Sequence, residues 1–170
     1  MPDPIHRLCA LVTALDDRIR DAVEAASGLT GTGPAALATI GLAPGLRIDE
    51  LAGMLRVSHS GAVRTVDRLA AAGLVVRHPA AGDRRSVALG LTDLGERRRR
   101  LVLEARSRAV AAALAPLDPA QRRALGALVD TLLAGIAARS GDHSMCRLCD
   151  PDDCTGWCPV DAGDAAAAAD

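Results

Sequence analysis

One stretch near the middle of the chain decides the fold. Residues 46–95 read LRIDELAGMLRVSHSGAVRTVDRLAAAGLVVRHPAAGDRRSVALGLTDLG. Apolar residues recur at helical spacing over 46–55 and again over 63–70, and residues 56–57 make a tight connection before Ser58, where the second helix begins. The sequence therefore predicts two short helices joined by a tight turn.

The second of these helices has a defined beginning and end. Ser58 is a good N-cap residue, and it stands directly before the helical pattern. Gly73 follows the last turn, where a left-handed C-cap costs glycine little, and Leu74 supplies the apolar contact that often accompanies such a cap. We expect the helix to end there.

A hairpin is predicted to follow. Residues 74–78 are short and rich in valine, and residues 86–91 alternate as a strand with one buried face does. Between them, residues 79–83 are rich in turn-forming types. Two antiparallel strands would place Arg84 and Arg85 close to the tip.

Helices are expected on both sides of this unit. Apolar residues at steps of three and four predict a long helix over 4–26, and a short one covers 35–42. Thr92 begins another long helix, and Asp118 and Pro119 begin a last one that runs to about residue 139. Because Phe and Tyr are absent, Ala, Leu and Val fill the core. The expected fold class is mainly α with a small β-hairpin (α+β).

Charge is distributed unevenly along the chain. The formal net charge is only −1, and the chain contains Arg but no Lys. Acidic residues gather near the two ends, whereas Arg dominates between Arg47 and Arg108. Since contacts to phosphate need a local rather than a global excess of positive charge, the net charge does not exclude a nucleic-acid partner.

The predicted helix pair and hairpin together indicate a DNA-binding unit. The second helix presents polar residues opposite its apolar face, namely Ser60, Arg64, Thr65 and Arg68. A helix of this kind fits the major groove of double-stranded DNA, and an arginine at a hairpin tip suits the narrower minor groove. The competing interpretation is a solvated helix face in which Arg64 and Arg68 pair with Asp67 or Glu50.

The residues also resemble a known family. Residues 51–58, 63–77 and 83–95 look like the MarR (multiple-antibiotic-resistance regulator) family, whose most specific signature matches Asp83, Arg85 and the Leu-Thr-x-x-Gly of 91–95. The resemblance implies a winged helix-turn-helix homodimer whose first and last helices intertwine. Such proteins usually repress nearby promoters and are released by a small ligand or an oxidant.

The resemblance also implies roles for individual residues. Those from 58 to 68 would read bases and phosphates, the main candidates being Ser58, His59, Ser60, Arg64, Thr65 and Arg68. Arg84 or Arg85 would enter the minor groove, with Asp83 orienting Arg85 through an ion pair. Two residues depart from the pattern: Arg47 stands where a Ser or Thr cap is common, and Gly90 weakens the second strand. The scarcity of aromatic residues puts the usual phenolic effector in doubt.

Dimerisation has support from the residues themselves. The apolar stripes of 4–26 and 118–139 lie on either side of the predicted DNA-binding lobe, 35–91, so a monomer would leave at least one stripe in water. Two-fold symmetry would place the two recognition helices about one duplex turn apart, which predicts a pseudo-palindromic site. The alternative is that the two stripes pack on each other within one chain.

Four cysteines follow the last predicted helix. Cys146, Cys149, Cys154 and Cys158 have the spacing C-x2-C-x4-C-x3-C-P, which is typical of a tetrahedral zinc site. An iron–sulfur cluster is the alternative metal centre, a reversible Cys146–Cys149 dithiol switch is a third interpretation, and an unstructured reduced tail is a fourth. Cys9, beside the first apolar stripe, is expected to be a small buried hydrophobe.

These features predict two parts and one principal function. Residues 1–141 would form the winged helix-turn-helix domain, and 142–170 a Cys-rich tail with a disordered Ala/Asp end. We expect a cytoplasmic transcriptional regulator without a membrane span, a signal peptide or an enzymatic activity, because no motif for catalysis appears. The alternative is a metal-binding or redox protein whose tail is primary and whose helices mediate protein interaction.

Overall fold

The structure is a computed structural model that describes residues 4–80, 83–140, 143–149, 158 and 160, with residues 80, 83–86, 139, 140 and 143 described by their backbone alone. In chain order its elements are α1 (Pro4–Ser27), α2 (Gly33–Leu42), α3 (Ile48–Leu55), α4 (His59–Ala71), β1 (Val75–Ala80), β2 (Asp83–Leu91), α5 (Asp93–Ala113), α6 (Pro119–Ser140) and a 3₁₀ helix (His143–Leu148). Mostly helical with one hairpin, this is the predicted fold class.

Helices α3 and α4 form the predicted helix-turn-helix. Arg56, with φ of 54°, adopts the left-handed conformation that ends α3. Ser58 caps α4, because its hydroxyl accepts a hydrogen bond from the Gly61 N–H at 3.1 Å. Gly73 has φ of +69°, as the stop after α4 requires. The cap and the stop predicted from the sequence are both confirmed.

Helix α3 begins two residues later than predicted, because the chain before it pairs with the hairpin. The Leu89 N–H donates to the Leu46 carbonyl at 2.9 Å, and the Gly45 N–H donates to the Leu89 carbonyl at 3.1 Å. Both strands also run further toward the tip than predicted, with a register shift between Pro79 and Ala80. Hydrogen bonds between distant residues decide where these elements begin and end. The apolar periodicity of the sequence carries no information about such hydrogen bonds.

The motif Leu-Thr-x-x-Gly joins the hairpin to α5. The Thr92 hydroxyl donates to the Gly73 carbonyl at 2.7 Å and accepts from the Gly95 N–H at 2.9 Å, so it caps α5 and binds the end of α4 at once. A Cβ atom at Gly95 would lie 2.0 Å from the Leu74 carbonyl oxygen. Only glycine permits this close approach of α5 to the backbone of residue 74.

The core of the lobe formed by α2 to β2 is closed within one chain. Its largest fully buried side chains come from every layer: Leu37, Ile40, Leu51, Val66 and Leu89. A smaller cluster joins α1 to α5 through Val23, Val102 and Ala105. Helices α1 and α5 therefore form a stem that packs beside the lobe.

The apolar stripes of α1 and α6 are open to solvent. Over its first half α1 exposes four large apolar side chains, and α6 exposes four more: Ile5, Leu8, Leu11, Val12, Leu128, Val129, Leu132 and Ile136. In the part of the chain that the structure describes, α6 packs extensively against no other helix or strand, and Ala137 is its only buried residue. The alternative in which the two stripes cover each other within one chain is therefore wrong.

Asp118 begins α6 with the predicted capping box. Its carboxylate accepts from the N–H groups of Ala120 and Gln121 at 2.8 and 2.9 Å, while the Gln121 side chain accepts from the Asp118 N–H at 3.0 Å.

No helix within the described ranges combines the length and apolarity that crossing a bilayer requires. The predicted Ala/Asp end of the tail lies outside the described residues.

Candidate nucleic-acid interface

Helix α4 presents a polar face at its N-terminal end. Ser58, His59, Ser60, Arg64 and Arg68 are all exposed, whereas Ala62, Val66 and Leu69 are buried on the opposite side. The cap at Ser58 fixes where the helix begins and so fixes the direction of this face. Five of the six predicted α4 contacts are therefore accessible on one surface.

The ion pairs of the competing interpretation are formed with other partners. Asp67 pairs with Arg77 of β1 at 2.6 Å, and Glu50 pairs with Arg47 at 3.4 Å. Over the described ranges Arg64 forms no ion pair, and the polar contact recorded for Arg68 is a 3.5 Å hydrogen bond to the Thr65 hydroxyl. The two carboxylates suggested as partners of Arg64 and Arg68 are thus engaged elsewhere.

Thr65 does not lie where the sequence placed it. Its side chain is only 3% exposed, and its hydroxyl donates to the Gly61 carbonyl at 3.0 Å. The same oxygen shares a 2.8 Å hydrogen bond with the hydroxyl of Thr32, at the start of α2. The assignment of Thr65 to the DNA-reading face is therefore corrected: this residue holds α4 against α2.

Two contacts that position the interface escaped the sequence analysis. Thr32 lies between the predicted helices 4–26 and 35–42, Arg77 lies in the predicted strand 74–78, and the sequence pattern assigns neither a partner. The Arg77–Asp67 ion pair ties the hairpin to α4, and Thr32 ties α2 to the same helix. Both contacts join residues at least ten positions apart, and neither follows from a local pattern.

The tip of the hairpin is described in part. The backbones of Asp83, Arg84 and Arg85 belong to β2, three residues closer to the tip than the predicted strand. Their side chains lie outside the description, and so does the predicted ion pair between Asp83 and Arg85. Gly90, predicted to weaken the strand, pairs with Val76 in regular antiparallel register.

A cavity of about 300 Å³ lies between α1 and α2. Its apolar lining includes Ile19, Val23 and Ala35, and its polar lining includes Arg20 and Glu24. The hydrogen bond from Arg20 to Asp17, together with the negative charge of that carboxylate, raises the pKa of the Arg20 guanidinium above its usual value. Arg20 therefore contributes a positive charge to the lining of the cavity.

Three of the four tail cysteines are described. Cys146, Cys149 and Cys158 are half-buried, while Cys154 lies outside the described residues. The Cys149 N–H donates to the Cys146 carbonyl at 2.8 Å, which closes a tight turn between these two residues. Within the described part of the chain, three or more metal-ligating side chains do not gather at one place.

Cys9 is exposed, so its expected burial is wrong. It lies on the first half of α1, before the cluster in which Val23 packs against α5.

Comparisons with known proteins agree with this geometry. Residues 27–86 match the sequence profile of the MarR family. The structure is similar to the YusO protein from Bacillus subtilis, with 26% identity, a TM-score of 0.65 and coverage of 76% of this chain and 92% of that chain. A search of curated proteins gave no significant match.

Two further solved structures share the fold. A crystal structure of MarR has 25% identity, a TM-score of 0.68 and coverage of 79% of this chain and 93% of that chain. Streptococcus pneumoniae FabT, solved in complex with DNA, has 18% identity, a TM-score of 0.65 and coverage of 76% of this chain and 94% of that chain. Residues 27–86 therefore match the MarR family model, and the fold around them is similar to the winged-helix fold of the solved MarR structure.

Proposed function

We propose that the chain is a transcriptional regulator that binds a pseudo-palindromic DNA site as a homodimer and represses transcription there. The observation that carries the proposal is the exposed N-terminal face of α4, with Arg64 and Arg68 unpaired by the nearby carboxylates. Arginine forms paired hydrogen bonds with guanine or with phosphate oxygens. Helix α4 would lie in the major groove.

The hairpin would contact the neighbouring minor groove. Arg84 and Arg85 stand in β2 next to the tip, and the Arg77–Asp67 ion pair holds the base of the hairpin to α4. Because the two elements are linked in this way, the major-groove and minor-groove contacts would form together. FabT, which has the same fold, was solved in complex with DNA, and this supports DNA as the partner.

The homodimer would bury the stripes of α1 and α6. Eight large apolar side chains on these two helices are between 40 and 64% exposed in the part of the chain that the structure describes. An isologous interface uses the same surface patch of both copies, so each of these residues would be buried once in each protomer. The resulting symmetry would present two α4 helices to one face of the duplex.

Two kinds of signal could reach this domain. The cavity between α1 and α2 would accept a small ligand at the boundary between stem and lobe, and its charged lining residues are Asp16, Arg20, Glu24 and Arg147. The tail would bind Zn²⁺ through Cys146, Cys149, Cys154 and Cys158, with an iron–sulfur cluster as the alternative. The C-x2-C spacing of Cys146 and Cys149 supports this proposal, since all-cysteine zinc sites commonly start with such a pair.

The test is the affinity for a DNA site selected from a random pool, measured by fluorescence anisotropy at several salt concentrations. Arg64→Ala and Arg68→Ala should each weaken binding by about 1–3 kcal/mol per protomer. Arg84→Ala and Arg85→Ala should weaken it as well. Arg123→Ala, on the exposed surface of α6, is the matched control and should bind like the wild type.

The salt dependence separates base contacts from phosphate contacts. A variant that has lost a phosphate contact should show a salt slope reduced by about one, whereas loss of a base contact relaxes specificity at one position. If the four arginine variants bind as tightly as Arg123→Ala, the proposed interface is wrong.

A further inference from the structure

The 3₁₀ helix that follows α6 lies across the boundary between the stem and the lobe, and we name these residues, His143–Leu148, the strap. The Thr39 hydroxyl of α2 donates to the Arg147 carbonyl at 3.2 Å. The Arg106 guanidinium of α5 donates to the next carbonyl, that of Leu148, at 3.0 Å. One anchor therefore belongs to the lobe and the other to the stem.

Burial and packing indicate that the strap is docked on both parts. Thr39 is completely buried, so its hydroxyl has been removed from water and has its acceptor in the strap. Leu148 packs against the apolar cluster that joins α1 to α5, and Ser144 is buried as well. The Arg147 guanidinium donates to the Ser144 carbonyl at 2.7 Å, which braces the strap internally.

The stem and the lobe also meet directly, at the beginning of α5. Gly95 lies against the backbone of Leu74, and about one turn later the Arg99 side chain packs so closely on Gly41 of α2 that a Cβ atom there would overlap it. Arg106 follows seven residues after Arg99, which is about 10 Å further along the helix. The strap therefore adds an attachment at a distance from the direct contacts.

Two separated attachments fix an angle that one attachment leaves free. With the contacts at the beginning of α5 alone, the lobe could pivot about them as about a hinge. With the strap docked, the same rotation would break the hydrogen bond of Thr39 or that of Arg106, or separate Leu148 from the stem. The strap therefore resists rotation of the lobe on the stem.

We propose that the strap sets the distance and angle between the two α4 helices of the homodimer. Thr39 and Arg106 would then be positioning residues that give the regulator its preference for one spacing of the two half-sites. This inference rests on the proposed function. In a homodimer joined through α1 and α6, the orientation of each lobe on its stem decides where its α4 helix lies.

The test measures the affinity of the full chain for a DNA site selected from a random pool and for the same site with one base pair inserted at its centre. The insertion moves one half-site by about 3.4 Å and turns it by about 35° around the duplex. The wild type should bind the lengthened site at least about tenfold more weakly, because the lobes can follow the change only by breaking the anchoring hydrogen bonds.

Thr39→Val and Arg106→Gln each remove one anchor. In each variant the ratio of the two affinities should fall by about two- to tenfold, which is the contribution of one ordinary hydrogen bond. Thr39→Ser keeps the hydroxyl and should keep the wild-type ratio. Arg108→Gln, which changes an exposed arginine of α5 paired with Glu104, is the control for Arg106→Gln and should keep it too.

Hydrogen exchange of the free protein gives a second readout that does not depend on DNA. The Cys149 N–H donates to the Cys146 carbonyl at 2.8 Å, directly after the two anchored residues. This amide should exchange faster in Thr39→Val and Arg106→Gln than in the wild type or in Arg108→Gln. Thermal melts followed by circular dichroism check that each variant is folded.

Three results would overturn the inference. An unchanged or larger ratio in both anchor variants, including an equal loss of affinity for the two sites, would mean that the strap does not position the lobes. Unchanged exchange of the Cys149 amide would mean that the two hydrogen bonds do not hold the strap. A wild type that binds both spacings equally would remove the preference and leave the proposed function intact. A wild type with no DNA affinity would overturn the proposed function as well.

Discussion

Large apolar side chains are buried in the lobe but exposed on α6 and on the first half of α1. In the lobe, Leu37, Leu51 and Leu89 are at most 1% exposed, and each is covered by residues of the same chain. On α6, Leu128 is 64% exposed and Leu132 is 55% exposed. The two regions contain similar residue types, so composition does not explain the difference.

The difference separates what one chain can stabilise from what needs a second surface. A contiguous exposed stripe of large apolar residues marks an interaction site more often than a solvated helix. We infer that the lobe folds around its own core, whereas α6 and the first half of α1 acquire theirs in the homodimer. The following predictions test this division, in order of decreasing effect.

The largest effect is expected from charges in the α6 stripe. Leu128→Asp together with Leu132→Asp would place four carboxylates in the symmetric interface. Since each buried Leu contributes about 1.5–3 kcal/mol, and each occurs twice, the dissociation constant of the dimer should rise by at least two orders of magnitude. Sedimentation velocity over a range of concentrations measures it.

Ala127→Asp is the control for that variant. Ala127 is exposed and, at about 100° per residue, lies about 100° around α6 from Leu128 and about 140° from Leu132, outside the apolar stripe. It should leave the dimer intact. An unchanged dissociation constant in the double variant would mean that the stripe of α6 is not the interface.

A truncation inside the lobe should act on folding and not on assembly. Leu51 is fully buried, so Leu51→Ala should lower the free energy of unfolding by about 2–5 kcal/mol. Chemical denaturation measures the loss, and sedimentation should give an unchanged dissociation constant for the folded dimer. Dissociation without loss of stability would contradict the separation of the two regions.

The position of Gly95, where α5 begins after the hairpin, should tolerate no side chain. An added Cβ would lie 2.0 Å from the Leu74 carbonyl oxygen, and because that atom is backbone, it cannot turn aside. Gly95→Ala should therefore cost about 1–3 kcal/mol of stability. Gly53→Ala is the matched control: nothing lies within 4 Å of its Cβ, and the change should stabilise α3 by about 0.5–1 kcal/mol.

The smallest effect is expected at the cap of α4. Ser58→Ala removes the hydroxyl that accepts from the Gly61 N–H, which should lower the free energy of unfolding by about 1 kcal/mol. Ser60→Ala, next to it on the same surface, should change stability by less than about 0.5 kcal/mol. Equal losses at the two serines in thermal melts would show that the cap is not what stabilises this end of the helix.

Local signals in the sequence predicted the elements well, because caps and stops act over a few residues. Ser58, Gly73, Thr92 and Asp118 each mark a boundary that the structure confirms. The predicted beginning of α3 was wrong, because the backbones of Gly45 and Leu46 form hydrogen bonds with a strand residue more than forty positions later.

The interface was predicted less completely than the fold. The faces of a helix follow from a period of 3.6 residues, which placed Arg64 and Arg68 on the exposed side. Thr65 lies at the edge of that face, and a single distant hydroxyl, that of Thr32, decides that it is buried. The hydrogen bonds from Thr39 and Arg106 to the carbonyls of Arg147 and Leu148 likewise join distant parts of the chain, and no spacing in the sequence predicts them.

The number of chains bound to one duplex tests the central claim most directly. Native mass spectrometry of the full chain with a selected DNA site should show two chains on one duplex, and Leu128→Asp with Leu132→Asp should abolish that complex at the same concentration. A single chain bound to each duplex with the wild-type affinity, or no complex even at low salt, would contradict the account.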